Sequence, residues 1–172
     1  NKVENKIIAT PTGSMFRWMM LNLGEVEILG TDVNLQGELQ FGKLKIKPLI
    51  NYTFQRARDF SDRAETYFGH QIPYTPWHSG TFSLMSDYKD WSFNYSFMYV
   101  GERYDGQQNN IQYNYIQPWY THDLSIQKKM NWKNHQFKAS FEVNNIFNQY
   151  YDVVLNYPMP GRNFKLILSF TL

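Results

Sequence analysis

The sequence contains no cysteine. That removes disulfide frameworks, thiolate metal sites and cysteine nucleophiles together, and it suits an envelope protein that must cross an oxidising periplasm. Long apolar runs are missing too. No window approaches the roughly 18 consecutive apolar residues that a membrane helix requires, and a mean hydropathy of -0.55 excludes a bundle of such helices. A transmembrane barrel survives that exclusion, because barrel strands alternate apolar with polar residues and keep a low mean. Charge of one sign is also lacking in excess. Seventeen Lys and Arg against 15 Asp and Glu leave +2, spread along the chain, so nucleic acid is not an expected partner. Neither an initiator Met nor a basic and apolar signal segment opens the chain at Asn1, which points to a processed product or a piece of something longer.

What the chain has in abundance is aromatic side chains, 18% of 172 residues and largely Tyr and Phe, more than a soluble core needs. They recur with the period of a β-strand. Trp91, Phe93, Tyr95, Phe97 and Tyr99 share one parity against Ser92, Asn94 and Ser96. Leu44, Ile46, Pro48, Ile50, Tyr52 and Phe54 do the same against Lys45, Lys47, Asn51, Thr53 and Gln55, and Phe137, Ala139, Phe141 and Val143 against Lys138, Ser140, Glu142 and Asn144. Tyr120, His122, Leu124 and Ile126 continue the pattern until Lys128 interrupts it. The chain closes on Phe164, Leu166, Leu168, Phe170 and Leu172 after Gly161. Such a terminal strand resembles the signal by which the barrel assembly machinery recognises outer-membrane proteins.

These patterns predict an all-β, antiparallel transmembrane β-barrel segment of about seven consecutive strands. The expected spans are 21–39, 44–58, 75–88, 91–104, 119–132, 135–147 and 161–172. They approach or exceed the roughly 9 to 11 residues needed to cross hydrocarbon. Val26, Ile28 and Gly30 differ in parity from Val33, Leu35, Gly37 and Leu39, which predicts a β-bulge at Gly30 to Asp32. Pro48 should lack a ladder partner. Connections alternate between short polar turns (41–43, 89–90, 133–134) and long loops (59–74, 105–118, 148–160), as in barrels with periplasmic turns and outer loops. Two aromatic girdles are expected, Tyr88, Trp91 and Trp132 near the turns and Tyr99, Tyr104, Trp119, Tyr120, Tyr150 and Tyr151 near the loops. An odd strand count means that Lys2 to Ala9 adds an eighth or that the chain belongs to a larger barrel; the second is favoured.

Three segments carry a resemblance: 23–33 (LGEVEILGTDV), 143–151 (VNNIFNQYY) and 157–164 (YPMPGRNF), followed by the terminal strand. Together they resemble the C-terminal portion of TonB-dependent outer-membrane receptors, particularly of the Bacteroidetes type. The resemblance implies that residues 1–172 are the C-terminal part of a 22-strand barrel in the bacterial cell outer membrane, about the last third of the wall. It implies high-affinity, TonB-powered uptake of a scarce nutrient, although this chain shows no plug domain and no TonB box. The runs at 7–13 (IIATPTG) and 20–24 (MLNLG) look most like the cobalamin branch, with siderophore and haem receptors next. Implied partners are outer-membrane lipid, the rest of the barrel and plug, the TonB complex, the assembly machinery, a surface lipoprotein and a small-molecule ligand.

Candidate ligand contacts in the outer loops are Arg58, Tyr67, His70, Tyr74, Trp77, Tyr104, Tyr113, Tyr115 and Tyr157, since rigid rings give contact area at low entropy cost. Interfacial anchoring is the ordinary alternative for half of them. His122 and His135 read as interfacial, and the spacing of His70 and His78 matches no zinc pattern. Asp59 and Asp62 beside Arg56, Arg58 and Arg63 read as solvated ion pairs. Glu102-Arg103 and Lys128-Lys129 suit lipid head groups or a lumen lining. Neither an enzyme nor a cofactor or metal site is expected. A passive porin-like barrel and a soluble β-sandwich binding module are the alternatives.

Overall fold

The computed structural model describes residues 2–11, 17–133 and 135–171; Leu172, Asn134 and the side chain of Trp132, all named above, lie outside the described residues. In chain order the strands are β1 (Lys2–Pro11), β2 (Trp18–Gln36), β3 (Leu39–Phe41), β4 (Leu44–Asp59), β5 (His78–Tyr88), β6 (Trp91–Val100), β7 (Arg103–Tyr104), β8 (Tyr115–Ile116), β9 (Trp119–Trp132), β10 (His135–Asn144), β11 (Asp152–Val154), β12 (Tyr157–Pro158) and β13 (Asn163–Thr171). The long ones form one sheet in the order β1-β2-β4-β5-β6-β9-β10-β13, with β3 continuing β2 alongside β4. Every neighbouring pair is antiparallel.

Lys2–Pro11 is thus a strand, the eighth long one among the described residues. The strand expected over 91–104 ends at Val100, and Arg103–Tyr104 pairs instead with Tyr115–Ile116 in a separate ribbon above the sheet. Backbone groups that leave the wall need other partners, and Gly101 N–H finds one in the His78 carbonyl at 2.8 Å.

The bulge expected at Gly30 to Asp32 is absent: β2 and β4 pair residue for residue from Val26↔Asp59 to Gln36↔Leu49. The change of face lies earlier. Leu21 and Leu23 turn inward at odd positions, Val26 and Ile28 at even ones, and opposite this change Asn5 has a φ of 54° and drops out of the β1 ladder. Gly30 is needed for a different reason, since a Cβ there would stand 2.7 Å from the Phe54 carbonyl oxygen. We expect Gly30→Ala to push β2 from β4 and lower stability by about 1–3 kcal/mol, read as a lower unfolding midpoint; an unchanged midpoint would show that the strands part without cost.

Pro48 is interior, paired with Leu84 of β5. Its missing N–H faces the other neighbour, where the ladder breaks between β2 and β3 and only Gly37 N–H to Pro48 O, 3.0 Å, bridges the gap. Each two-residue turn starts in the left-handed region, at Gly42 (φ 60°), Lys89 (φ 52°) and Lys133 (φ 55°), a conformation that suits the twist of a tight hairpin.

The sheet has one apolar and one polar face. Phe164, Leu166, Leu168 and Phe170 stand opposite Val143, Phe141, Ala139 and Phe137. Phe164, Leu166 and Leu168 remain more than 60% exposed. Among the described residues no second sheet seals this face. Soluble monomers rarely expose apolar area on that scale, so the sandwich alternative falls away. Among the described residues, a buried apolar cluster of Leu23, Val26, Ala57 and Ile72 lies where the loop after β4 folds back onto the other face.

Candidate functional site

The polar face is built from cross-strand pairs that satisfy one another. Asn34 and Asn51 share an amide hydrogen bond, Asn51 Nδ2 donates to Thr81 Oγ1 at 3.0 Å, and Thr53 Oγ1 to Asp32 at 2.6 Å. Ser92 donates to Asp87 (2.6 Å), Asn94 to Ser125 (3.2 Å) and Asn144 to Asn163 (3.0 Å). Lys165 pairs with Glu142 at 3.4 Å. A face of this kind is stable against water and fits a hydrated lumen.

Three loops and the first hairpin converge at one end of that face. Gln71, 1% exposed, is the hub. Its Oε1 accepts the Ala57 N–H (2.8 Å), and its Nε2 donates to the carbonyls of Gln55 (3.0 Å) and Thr75 (3.3 Å). The side chain therefore completes a ladder that β4 has lost on this side. The Gln71 backbone is gripped in turn by Asn109, which accepts its N–H at 2.7 Å and donates to its carbonyl at 3.0 Å. Tyr74 N–H to Tyr104 O, 2.7 Å, fastens the same two loops again. Arg103, buried, donates through Nη2 to the carbonyls of Asp152 (2.5 Å) and Val153 (3.0 Å), tying in the third loop.

That third loop holds the sequence 145–148 (NIFN). Asn145 has φ 51° and is buried; its N–H donates to Asp123 Oδ1 (2.7 Å), its Oδ1 accepts from Gln149 N (2.8 Å), and its Nδ2 donates to Gln149 O (2.8 Å). Asn148 Oδ1 accepts the Arg162 N–H at 2.8 Å and comes so near Gly161 that a Cβ there would lie 2.7 Å away. The motif is a fastening between β9, the loop and the start of β13.

Between these loops opens a cavity of about 510 Å³ lined by Ile8, Ala9, Trp18, Pro73, Tyr74, Thr75, Pro76, Val100, Arg103, Trp119, Val153 and Val154. Its volume lies in the range of small-molecule sites, and the mostly apolar wall with a few polar groups is their usual chemistry. Burial pushes the Tyr74 phenol up to about 12, the Asp105 carboxylate adding to the rise and the Arg103 cation opposing it. Burial also lowers the Arg103 guanidinium, against the opposing charges of Tyr74 and Asp152.

Of the nine loop residues singled out from the sequence, the cavity takes in Tyr74. Tyr157 stands beside it through Trp18, ring centroids 6.3 Å apart. Tyr104 and Tyr115 form an edge-on pair in the β7/β8 ribbon, with Tyr115 Oη donating to Glu102 at 3.3 Å. His70 Nδ1 accepts the Asn109 N–H at 3.2 Å. Tyr67 lies in the first loop, where burial raises its phenol, and the Trp77 carbonyl accepts the Gln55 N–H at 2.9 Å. Tyr113 is 73% exposed. Arg58 lies on the apolar parity of β4, its guanidinium 5.0 Å from the Phe60 ring centre, away from the cavity.

Trp119, expected in a girdle, is buried on the polar parity and stacks on Tyr151 at 4.3 Å. Its neighbour Tyr120 does lie on the apolar face, opposite Tyr99. The sequence reading missed Trp18, Arg103 and Trp119 as cavity walls, yet the parity of Trp119 was available as a signal, one step out of phase with Tyr120, His122 and Leu124. His122 sits on the apolar face among Tyr95, Phe97, Tyr120 and Phe147, its Nδ1 2.6 Å from Tyr95 Oη. His78 pairs likewise with Tyr52 at 2.8 Å.

Comparison with known proteins places this architecture. Solved structures with the same fold include the ferric citrate transporter FecA in its unliganded form (TM-score 0.67, 17% identity, 86% of this chain and 24% of that one). The ferric-catecholate import receptor Fiu from E. coli K12 aligns with TM-score 0.66 at 20% identity over 98% of this chain and 23% of that one. The copper transporter OprC aligns with TM-score 0.65 at 20% identity over 95% and 25%. The chain thus spans about a quarter of the length of these relatives. No curated protein sequence matches it. The family model "TonB dependent receptor-like, beta-barrel" matches residues 1–146. The chain therefore belongs to the TonB-dependent receptor β-barrel family, whose members are proteins of the Gram-negative outer membrane.

Proposed function

We propose that this chain is part of the wall and outer mouth of a transporter that takes up a scarce nutrient across the outer membrane, powered through TonB. The observation that carries this reading is the mouth itself. A passive pore needs only a wet lumen, whereas here three loops are bolted together around a cavity walled by Trp18, Tyr74 and Trp119. Ordered aromatic walls favour capture over free passage. In this reading the remaining barrel strands and a plug complete the lumen, the TonB complex supplies energy, the assembly machinery reads Gly161, Phe164, Leu166, Leu168, Phe170 and Leu172, and a surface lipoprotein is a further partner. Catalysis has no part in it.

The preferred cargo is cobalamin, from the likeness of the runs at 7–13 and 20–24, with a ferric siderophore or haem next. The solved relatives named for ferric citrate, ferric catecholate and copper support uptake of scarce nutrients in general. Equilibrium binding of labelled cobalamin, ferric siderophore and haem to the receptor carrying this sequence, followed by uptake with and without TonB, tests the proposal. Saturable, TonB-dependent uptake is expected; flux that is linear in concentration and indifferent to TonB would establish the passive alternative. Trp18→Ala and Tyr74→Ala should each weaken binding of the cargo about tenfold or more, as loss of a buried aromatic anchor does. Tyr113→Ala should leave it unchanged.

A further inference from the structure

At the short-turn end, four residues meet on the apolar face. Trp91 stands opposite Tyr88 across the β5/β6 ladder and opposite Lys128 across the β6/β9 ladder. Lys128 Nζ lies 4.7 Å above the Trp91 ring and Lys89 Nζ 5.3 Å above the Tyr88 ring. Lys128 is the one cation in the otherwise apolar parity of β9, between Ile126 and Met130. Lys89 holds a φ of 52° at the start of its turn, where Gly or Asn costs less. Both positions keep lysine against a local preference.

Among the described residues neither ammonium has a carboxylate within ion-pair distance. Asp87 points to the other face, bound to Ser92 at 2.6 Å. On the polar face at the same end, Lys47 is paired with Glu38 at 3.5 Å and Lys45 stands opposite Asp87. A ring face attracts a cation without neutralising it. Two such cations on the lipid-facing side, at the level of the interfacial rings, leave an unfilled demand for one anion at head-group depth.

We propose that Tyr88, Lys89, Trp91 and Lys128 form a binding site for the phosphate of an anionic phospholipid in the inner leaflet, with its acyl chains lying along Leu44, Leu84 and Phe93 on the same face. A zwitterionic lipid brings its own ammonium to the site and competes with the lysines; a phosphatidylglycerol-type head group does not. The site rests on the outer-membrane placement of the sheet and is independent of what the mouth captures.

The test is native mass spectrometry of the receptor carrying this sequence, titrated with phosphatidylglycerol or phosphatidylcholine. Wild type should retain phosphatidylglycerol preferentially and lose the preference in high salt. The double variant Lys89→Gln with Lys128→Gln should bind it roughly 25-fold more weakly, about fivefold for each lysine. Lys45→Gln with Lys47→Gln, which removes the same charge from the polar face, should bind as wild type does. Equal retention of the two lipids by wild type, or the same loss from both double variants, overturns the proposal. Should the first double variant fail to fold, the wild-type lipid preference decides alone.

Discussion

Arginine in place of Leu166 is expected to destabilise the barrel by about 2–4 kcal/mol where that position meets the bilayer midplane, whereas Ser96→Arg is expected to be nearly neutral. The physical difference is the medium. Leu166 shares the apolar face with Phe141 and is 67% exposed, with no second layer over it among the described residues. In hydrocarbon a guanidinium loses its hydration and finds no acceptor. Ser96 projects from the other face, its hydroxyl 3.5 Å from Asp123, where water and a carboxylate are at hand. Unfolding from lipid vesicles at matched denaturant measures both. Equal stability of the two variants would mean that the ring-rich face meets protein or water, and the membrane reading would be lost.

Gln71→Leu should cost about 2–4 kcal/mol and detach the first loop. The substitution leaves the buried Ala57 N–H and two part-buried carbonyls without their partners, and each orphaned buried group costs roughly 1–3 kcal/mol, not fully additively. Because Asn109 holds the same residue by its backbone, the damage should spread to the second loop. Limited proteolysis should then cut within 60–77 and 101–118, with cargo affinity falling in parallel. Gln108, which reaches Thr66 at 2.9 Å from an exposed position, is the comparison. Its replacement by Leu should stay within about 0.5 kcal/mol of wild type. Resistance of the Gln71 variant to protease would show that the loops hold without their hub.

The wall was largely legible in the sequence because a strand states its two faces locally: Trp91 to Tyr99 needs no partner to be recognised. What escaped was whatever depends on a distant segment. The change of face at Leu23 to Val26 lies opposite the left-handed Asn5 of β1, and Gln71 meets Asn109 over a gap of 38 residues, so neither is written in its own neighbourhood. Pro48 misled for the opposite reason. Its local rule was right about the missing donor, but the sheet absorbs the defect by breaking the neighbouring strand between Gln36 and Leu39. Among the candidate ligand contacts, Tyr74 lines the cavity whereas Tyr113 is exposed, and exposure is settled by how loops fold back. Arg58, a candidate named with the loops, stands at an even position of β4 and so shares the parity of Tyr52 and Phe54.

The fastenings at Gln71, Asn109 and Arg103 have a mechanical corollary. Segments joined at several points have few independent ways to move, so on the uptake proposal the three loops are expected to rock as one plate about the strand stems during admission of cargo, with no separate flaps to lift in turn. A tether between any two of its loops would then leave traffic untouched, while a tether from the plate to the first hairpin, at Trp18 and Tyr157, would stop it.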